Sequence, residues 1–104
     1  MASDPCNRLR RELAKSFLDI MVIRLLKREP MWGYRLMSEI EKEHGIKVGP
    51  SVIYPLLNSL EGEGLVDVKE TWVQKRKRKT YSPTERGIQQ LLCLREVVEE
   101  LFES

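Results

Sequence analysis

Val66-Asp67-Val68-Lys69-Glu70-Thr71-Trp72-Val73-Gln74-Lys75-Arg76-Lys77-Arg78-Lys79-Thr80-Tyr81-Ser82 is the stretch on which the fold turns. Leu65 to Val73 alternates, with Val66, Val68 and Trp72 on one side, and this predicts a strand. The unbroken basic run Lys75-Arg76-Lys77-Arg78-Lys79 predicts a charged turn, and a second strand follows over about residues 77–82. A hairpin with a positive tip, directly after a helical segment, is how a winged-helix protein touches the DNA backbone. Its charges neutralise phosphates and release counterions, a contact that positions a protein on DNA without reading sequence. A solvated charged turn is the plainer alternative.

Upstream of the hairpin the periodicity is helical. Leu9, Leu13, Phe17, Leu18, Met21, Leu25 and Leu26 recur at steps of three and four, which predicts one helix over residues 8–28, ended by Pro30. A second helix is expected from Gly33 to His44, with Gly45 as its stop. A third begins near Pro50, where the missing proline N–H has no intrahelical partner to lose, and runs to about Gly62 or Gly64. Downstream, Ser82-Pro83-Thr84-Glu85 reads as a helix start with a serine cap and a capping-box glutamate, opening a last helix to about Phe102. The expected class is mainly α with a small β-hairpin: a winged helix-turn-helix over residues 1–82, then a C-terminal dimerisation helix over 83–104.

On a helical wheel Val52, Ile53, Leu56, Leu57 and Leu60 of the third helix share one side, the expected core face. Ser51, Tyr54, Pro55, Asn58 and Gly62 fall on the other. Hydroxyl and amide groups there can bond base edges or phosphates, and small residues let the backbone approach a groove. No arginine stands on this face, so the expected specificity rests on Tyr54, Asn58, nearby Arg35 or DNA shape, with Arg35 and Lys47 as flanking phosphate contacts.

These stretches resemble the PadR-like family of winged-helix transcriptional regulators. Trp32-Gly33-Tyr34-Arg35-Leu36-Met37-Ser38-Glu39-Ile40 is similar to its HGYxIxxxI opening, with tryptophan in the histidine position. Pro50-Ser51-Val52-Ile53-Tyr54-Pro55-Leu56-Leu57-Asn58-Ser59-Leu60-Glu61-Gly62-Glu63-Gly64-Leu65 resembles its GxLYPxLxxLExxGLI recognition helix, and residues 78–87 resemble its wing and following helix start, with Pro83 in place of leucine. The resemblance covers about residues 17–92. It implies a DNA-binding regulator, usually a repressor, acting as a homodimer. By position it assigns DNA contact to Ser51, Tyr54, Pro55 and Asn58 and to the wing at Lys75, Arg76, Lys77, Arg78 and Lys79. Tyr81 matches the wing tyrosine, expected either on DNA or packed under the wing. With one helix after the wing, the chain resembles the short subgroup of the family, not the founding members with their long C-terminal domain.

Leu91, Leu94, Val98 and Leu101 follow a coiled-coil-like spacing, and Ile88, Leu92, Val97 and Phe102 widen that apolar face. A small domain has too little core to bury it all, so a second copy of the chain is the expected cover, with Leu9, Leu13 and Phe17 joining the seam.

Composition narrows the classes further. The chain has 104 residues and a net charge of +2, so it is one domain and not a generally basic binder. Charge is instead segregated: basic in the hairpin, acidic at Glu96, Glu99, Glu100 and Glu103. Cys6 and Cys93 make no zinc spacing with the single histidine, His44, so no cofactor or metal is expected. His44 reads as a helix-end residue and Cys93 as a small hydrophobe. Trp32 and Trp72 read as packing residues, or as a stacking surface for a flat effector of unknown identity. No apolar run approaches the ~20 residues of a membrane span, the polar Met1–Arg11 is no secretory signal, and a cytoplasmic protein is expected. No nucleophile, phosphate-loop or metal motif suggests an enzyme. The expected function is a sequence-specific dimeric regulator on a pseudo-palindromic operator. The alternatives are a winged-helix protein–protein module and a non-specific architectural DNA binder.

Overall fold

The structure is a computed structural model, described from Pro5 to Glu103. Met1 to Asp4, the start of the polar N-terminal stretch, and Ser104 lie outside the described residues. In chain order the elements are α1 (Pro5–Ser16), α2 (Leu18–Arg28), β1 (Met31–Trp32), α3 (Gly33–His44), α4 (Pro50–Gly62), β2 (Val66–Val73), β3 (Arg76–Pro83) and α5 (Glu85–Leu101). The fold is mainly helical with a small antiparallel sheet, as expected.

α2 is the central rod of the body, with Val22, Ile23, Leu25 and Leu26 all buried. Around it lie Leu36 and Ile40 from α3, Ile53, Leu57 and Leu60 from α4, and Leu65, Val66 and Tyr81 from the sheet. Each such side chain contributes roughly 1.5–3 kcal/mol on burial, so this cluster is what holds α3 and α4 in their mutual orientation. Val52, expected on the core face, is instead half exposed, beside a shallow hollow with Lys15, Leu18 and Ile46. The buried face of α4 centres on the Ile53–Leu57–Leu60 line, and Val52 stands beyond its edge.

The expected single helix over residues 8–28 is bent into α1 and α2 at Phe17, whose φ of −116° and ψ of 39° leave the helical region. Hydrogen bonds from Phe17 N–H to Leu13 (2.8 Å) and from Met21 N–H to Phe17 (2.9 Å) bridge the bend. Neither Gly nor Pro marks it, so the apolar periodicity runs straight through. The bend separates a buried α2 from an α1 whose apolar residues stay exposed except for Ala14.

α3 ends as expected: Gly45 takes a left-handed φ of 67° and its N–H bonds back to Glu41 at 2.8 Å. The start of α5 differs. Ser82 and Pro83 remain in β3, and Thr84 is the cap, its hydroxyl accepting from Gly87 N–H at 3.0 Å and donating to the Gly64 carbonyl at 2.6 Å. That hydroxyl therefore joins the start of α5 to the turn before β2, and tertiary pairing extends the strand past the expected serine cap.

The sheet has three strands in the order β1-β3-β2, all antiparallel. β1 is a short strand that periodicity does not predict, pairing Met31 with Tyr81 and Trp32 with Thr80. β2 and β3 are in register from Val66↔Pro83 to Val73↔Arg76, which leaves Gln74-Lys75 as a two-residue turn with positive φ at both positions. Only Lys75 of the basic run is therefore in the turn, and Arg76 to Lys79 belong to the strand. Among the described residues no helix is long and apolar enough to cross a membrane.

Candidate nucleic-acid interface

The outward face of α4 carries Ser51, Pro55 and Asn58, all exposed. Pro55 lies inside the helix, and its lack of an N–H leaves the Ser51 carbonyl without its usual intrahelical donor. Tyr54 is half-buried and leans across to α3, where its ring packs on Gly33. Burial and the neighbouring Tyr34 phenol push the Tyr54 hydroxyl above its ordinary pKa, so it stays a protonated donor.

β3 arrives beside this face as the middle strand. It pairs with β1 only at Thr80 and Tyr81, so its edge at Arg76 to Lys79 is open there. The result is a cavity of about 520 Å³ between wing and helices, lined by Trp32, Gly33, Tyr34, Tyr54 and the four basic residues 76–79. Alternation sorts those four. Lys77 points to the side of Trp72 and Glu70, with an ion pair to Glu70 at 3.0 Å and its ammonium 5.9 Å from the Trp72 ring. Arg78 points to the other side and lies over Trp32, 3.9 Å from the ring centroid. Trp32 in turn meets Tyr34 with ring centroids 5.6 Å apart, tilted by 59°. Lys75, Arg76 and Lys79 are exposed.

Arg35 and Tyr81 do not line the cavity. Arg35 is on α3 but is held in an ion pair with Glu29, away from the cavity lining. Tyr81, expected either on DNA or packed under the wing, is 1% exposed and packs in the core beneath the wing. Burial accounts for its raised pKa. Conversely, Tyr34, 58% exposed at the cavity wall, is not among the residues that the sequence marks for DNA contact. The signal that would find it is the pairing of Met31-Trp32 with β3, which swings the start of α3 up to the wing.

A second surface lies at the far end of the chain. α1 and α5 flank an almost wholly apolar groove of about 500 Å³, whose walls include Leu13, Phe17, Leu94, Val98, Leu101 and Phe102. Leu9 is exposed further along α1, and Leu101 and Phe102 are 76% and 86% exposed. Ile88 and Leu91 are half-buried, Leu91 against the body's own core, so the unpartnered part of the expected seam is the C-terminal half of α5. Cys93, expected to pack, is exposed there. His44, expected as a helix-end residue, has both ring nitrogens buried without a hydrogen-bond partner among the described residues, beside this groove, and desolvation lowers its pKa. α1 carries Arg8, Arg10, Arg11 and Lys15, of which Arg10 lines the groove, and α5 carries Glu96, Glu99 and Glu100, with Glu99 paired to Arg95 at 3.1 Å.

Residues 22–92 match the model of the family described as "Transcriptional regulator PadR-like family". The transcriptional regulator Rv3488 of Mycobacterium tuberculosis is 30% identical over 91 residues, covering 88% of this chain and 84% of that protein. Among solved structures, a PadR family transcriptional regulator from Eggerthella lenta is 29% identical with a TM-score of 0.69, covering 99% of this chain and 96% of that one. Bacillus subtilis PadR, solved in complex with operator DNA, is 27% identical with a TM-score of 0.66; the match covers 85% of this chain but 47% of that protein.

Proposed function

Because the chain belongs to the PadR-like family of transcriptional regulators, we propose that it binds double-stranded operator DNA as a homodimer and represses by occupying promoter DNA. The observation that carries this reading is the meeting of Tyr54 from α4, the start of α3 and the open edge of β3 at one cation-walled cavity. With α4 in a major groove, the wing falls on the flanking backbone. Ser51, Tyr54, Pro55 and Asn58 then meet base edges or phosphates, and Lys75, Arg76 and Lys79, in no ion pair among the described residues, supply charge. The solved complex of Bacillus subtilis PadR with operator DNA supports the same use of the fold.

Dimerisation follows from the other surface. The exposed leucines and valines of α1 and α5, with Phe17 and Phe102 at the ends of those helices, form an apolar patch that a soluble monomer seldom leaves open. A second copy, related by a two-fold axis, covers it and sets its acidic α5 against the basic α1 of the first. Such a dimer holds two α4 helices for successive major grooves about 34 Å apart, and hence for a pseudo-palindrome.

The test is fluorescence anisotropy of the protein on DNA from upstream of its own gene, against a scrambled duplex of equal length, across a salt series. Tighter binding to the native fragment is expected, with a steep salt slope. Lys75→Ala and Lys79→Ala in the wing should each lower that slope by about one, the share of a single neutralised phosphate. Equal binding to both duplexes sinks sequence-specific regulation at that site, and no binding to either at low salt sinks the DNA reading.

A further inference from the structure

The basic residues at the wing are not equivalent, and one of them is set up differently from the rest. Lys77 is neutralised by Glu70, and on α3 Arg35 is neutralised by Glu29. Arg78 makes neither an ion pair nor a side-chain hydrogen bond among the described residues, although it is half-buried. What holds it is the indole of Trp32, 3.9 Å beneath the guanidinium carbon. Stacking uses the faces of a guanidinium and leaves its N–H edges free in a fixed plane, the arrangement suited to two parallel hydrogen bonds to a phosphate.

Trp32 is itself fixed twice, by the backbone pairing of β1 with Thr80 and by the ring of Tyr34. The Arg78 plane is thus set before any ligand arrives, and little side-chain entropy remains to be lost on binding. Around it, the phenols of Tyr34 and Tyr54 line the same cavity. At about 520 Å³ the cavity is far too large to be a single water site and lies in the range of real ligand sites. Its position matters as much as its size. A duplex with a helix in its major groove and a wing on the flanking minor groove must pass the strand dividing those grooves between the two, which is where this cavity lies.

We propose that this cavity is the seat of one DNA phosphodiester per half-site, gripped by Arg78 as Trp32 presents it and completed by the hydroxyls of Tyr34 and Tyr54. The proposal rests on the DNA-binding function proposed above and adds to it a defined ligand atom group, a contact residue on α3, Tyr34, and Trp32 as a positioning residue. It also separates the wing charges into one directed contact at Arg78 and several diffuse ones at Lys75, Arg76 and Lys79.

The experiment is a methylphosphonate scan, in which single backbone phosphates are replaced by neutral analogues. The duplex is one the protein itself selects from a random-sequence pool, and affinity is read by anisotropy. For the wild type, one position per half-site should lose about tenfold, as for a charge-assisted hydrogen bond. Arg78→Lys keeps the charge but not the fork, and should cut the loss at that position to about twofold while other positions keep their profile. Trp32→Leu should do the same, and Trp72→Leu, on the other side of the wing, should not. Thermal unfolding midpoints identify any variant that fails to fold, and Arg78→Lys, partly exposed and of like charge, carries the test by itself. A profile unchanged in Arg78→Lys overturns the seat and leaves DNA binding standing. Failure of the wild type to select any duplex overturns both.

Discussion

The phenol of Tyr54 on α4 lies directly against the backbone of Gly33 on α3: a β-carbon added at Gly33 would fall 2.5 Å from the Tyr54 hydroxyl oxygen. Gly33 has no left-handed conformation to explain the choice. The glycine is there for space, so that a residue of the candidate recognition helix can lean into the cavity beside the wing. Gly33→Ala should therefore leave the fold intact, with a change in stability within about 1 kcal/mol because alanine is otherwise favourable in a helix. It should weaken DNA binding by about tenfold, as Tyr54 is displaced. In a Tyr54→Ala background the same substitution should cost nothing more, and a double-mutant cycle by anisotropy checks this.

Gly87 is a different case. Its absent β-carbon would lie well inside contact distance of the Leu65 carbonyl oxygen, a backbone atom already accepting from Thr84 N–H at 3.0 Å. Neither neighbour can rotate away. Gly87→Ala should destabilise by about 1–3 kcal/mol. Thr84→Ala, which removes the cap of α5 and the bond to Gly64, should cost about 1 kcal/mol. Urea unfolding with unchanged slope measures both.

The wing turn stores strain. Gln74 and Lys75 adopt φ of 49° and 65°, a region that costs an ordinary residue roughly 1–2 kcal/mol each. Asn-Gly is the pair suited to such a turn. Gln74→Asn with Lys75→Gly should slow amide exchange along β2 and β3 and raise the unfolding midpoint. It should also reduce the salt slope of DNA binding by about one, because the Lys75 charge is gone.

Acid should weaken the junction of α2, α3 and the apolar groove in two steps. Desolvation holds the His44 pKa below the ordinary value of about 6.5, so protonation favours the unfolded chain. The stability tied to neutral His44 is complete above that value and falls as pH drops below it. For Glu43, burial works to raise the pKa, but hydrogen bonds from Arg28 (2.5 Å) and Arg24 (3.0 Å) bring it below the usual carboxylate range. Its contribution survives to lower pH and is lost as pH falls through that depressed value. Unfolding midpoints of wild type and His44→Phe at fixed protein concentration should diverge below pH about 6.5 and run parallel above it. Parallel curves throughout would remove His44 from the account.

Leu101 and Phe102 protrude from the end of α5 and are largely exposed in the single chain. Leu101→Glu with Phe102→Glu should barely alter the stability of the isolated chain, since little burial is removed. It should convert a dimer to a monomer by light scattering and abolish tight operator binding, because each half-site then binds alone. Unchanged operator affinity in a demonstrated monomer contradicts the dimer reading.

The sequence by itself determined the helical and strand periods, and hence the class. The 3-and-4 spacing of leucines marks α2 and α4, the alternation Val66–Val68 marks β2, and Gly45 marks the end of α3, because each follows from geometry within a few residues. It also marked the charged wing and the apolar α5, which are matters of composition along a single element. Tertiary structure decided what those groups do. Whether Arg78 is a solvated charge or a fixed fork depends on Trp32, which reaches it only through the pairing of β1 with β3. Arg35 and Lys77 were drawn to Glu29 and Glu70, and Tyr81 into the core, by contacts between elements or across strands. The bend at Phe17 and the shift of the α5 cap from Ser82 to Thr84 likewise depend on burial and strand pairing with distant residues, which local propensity cannot sense.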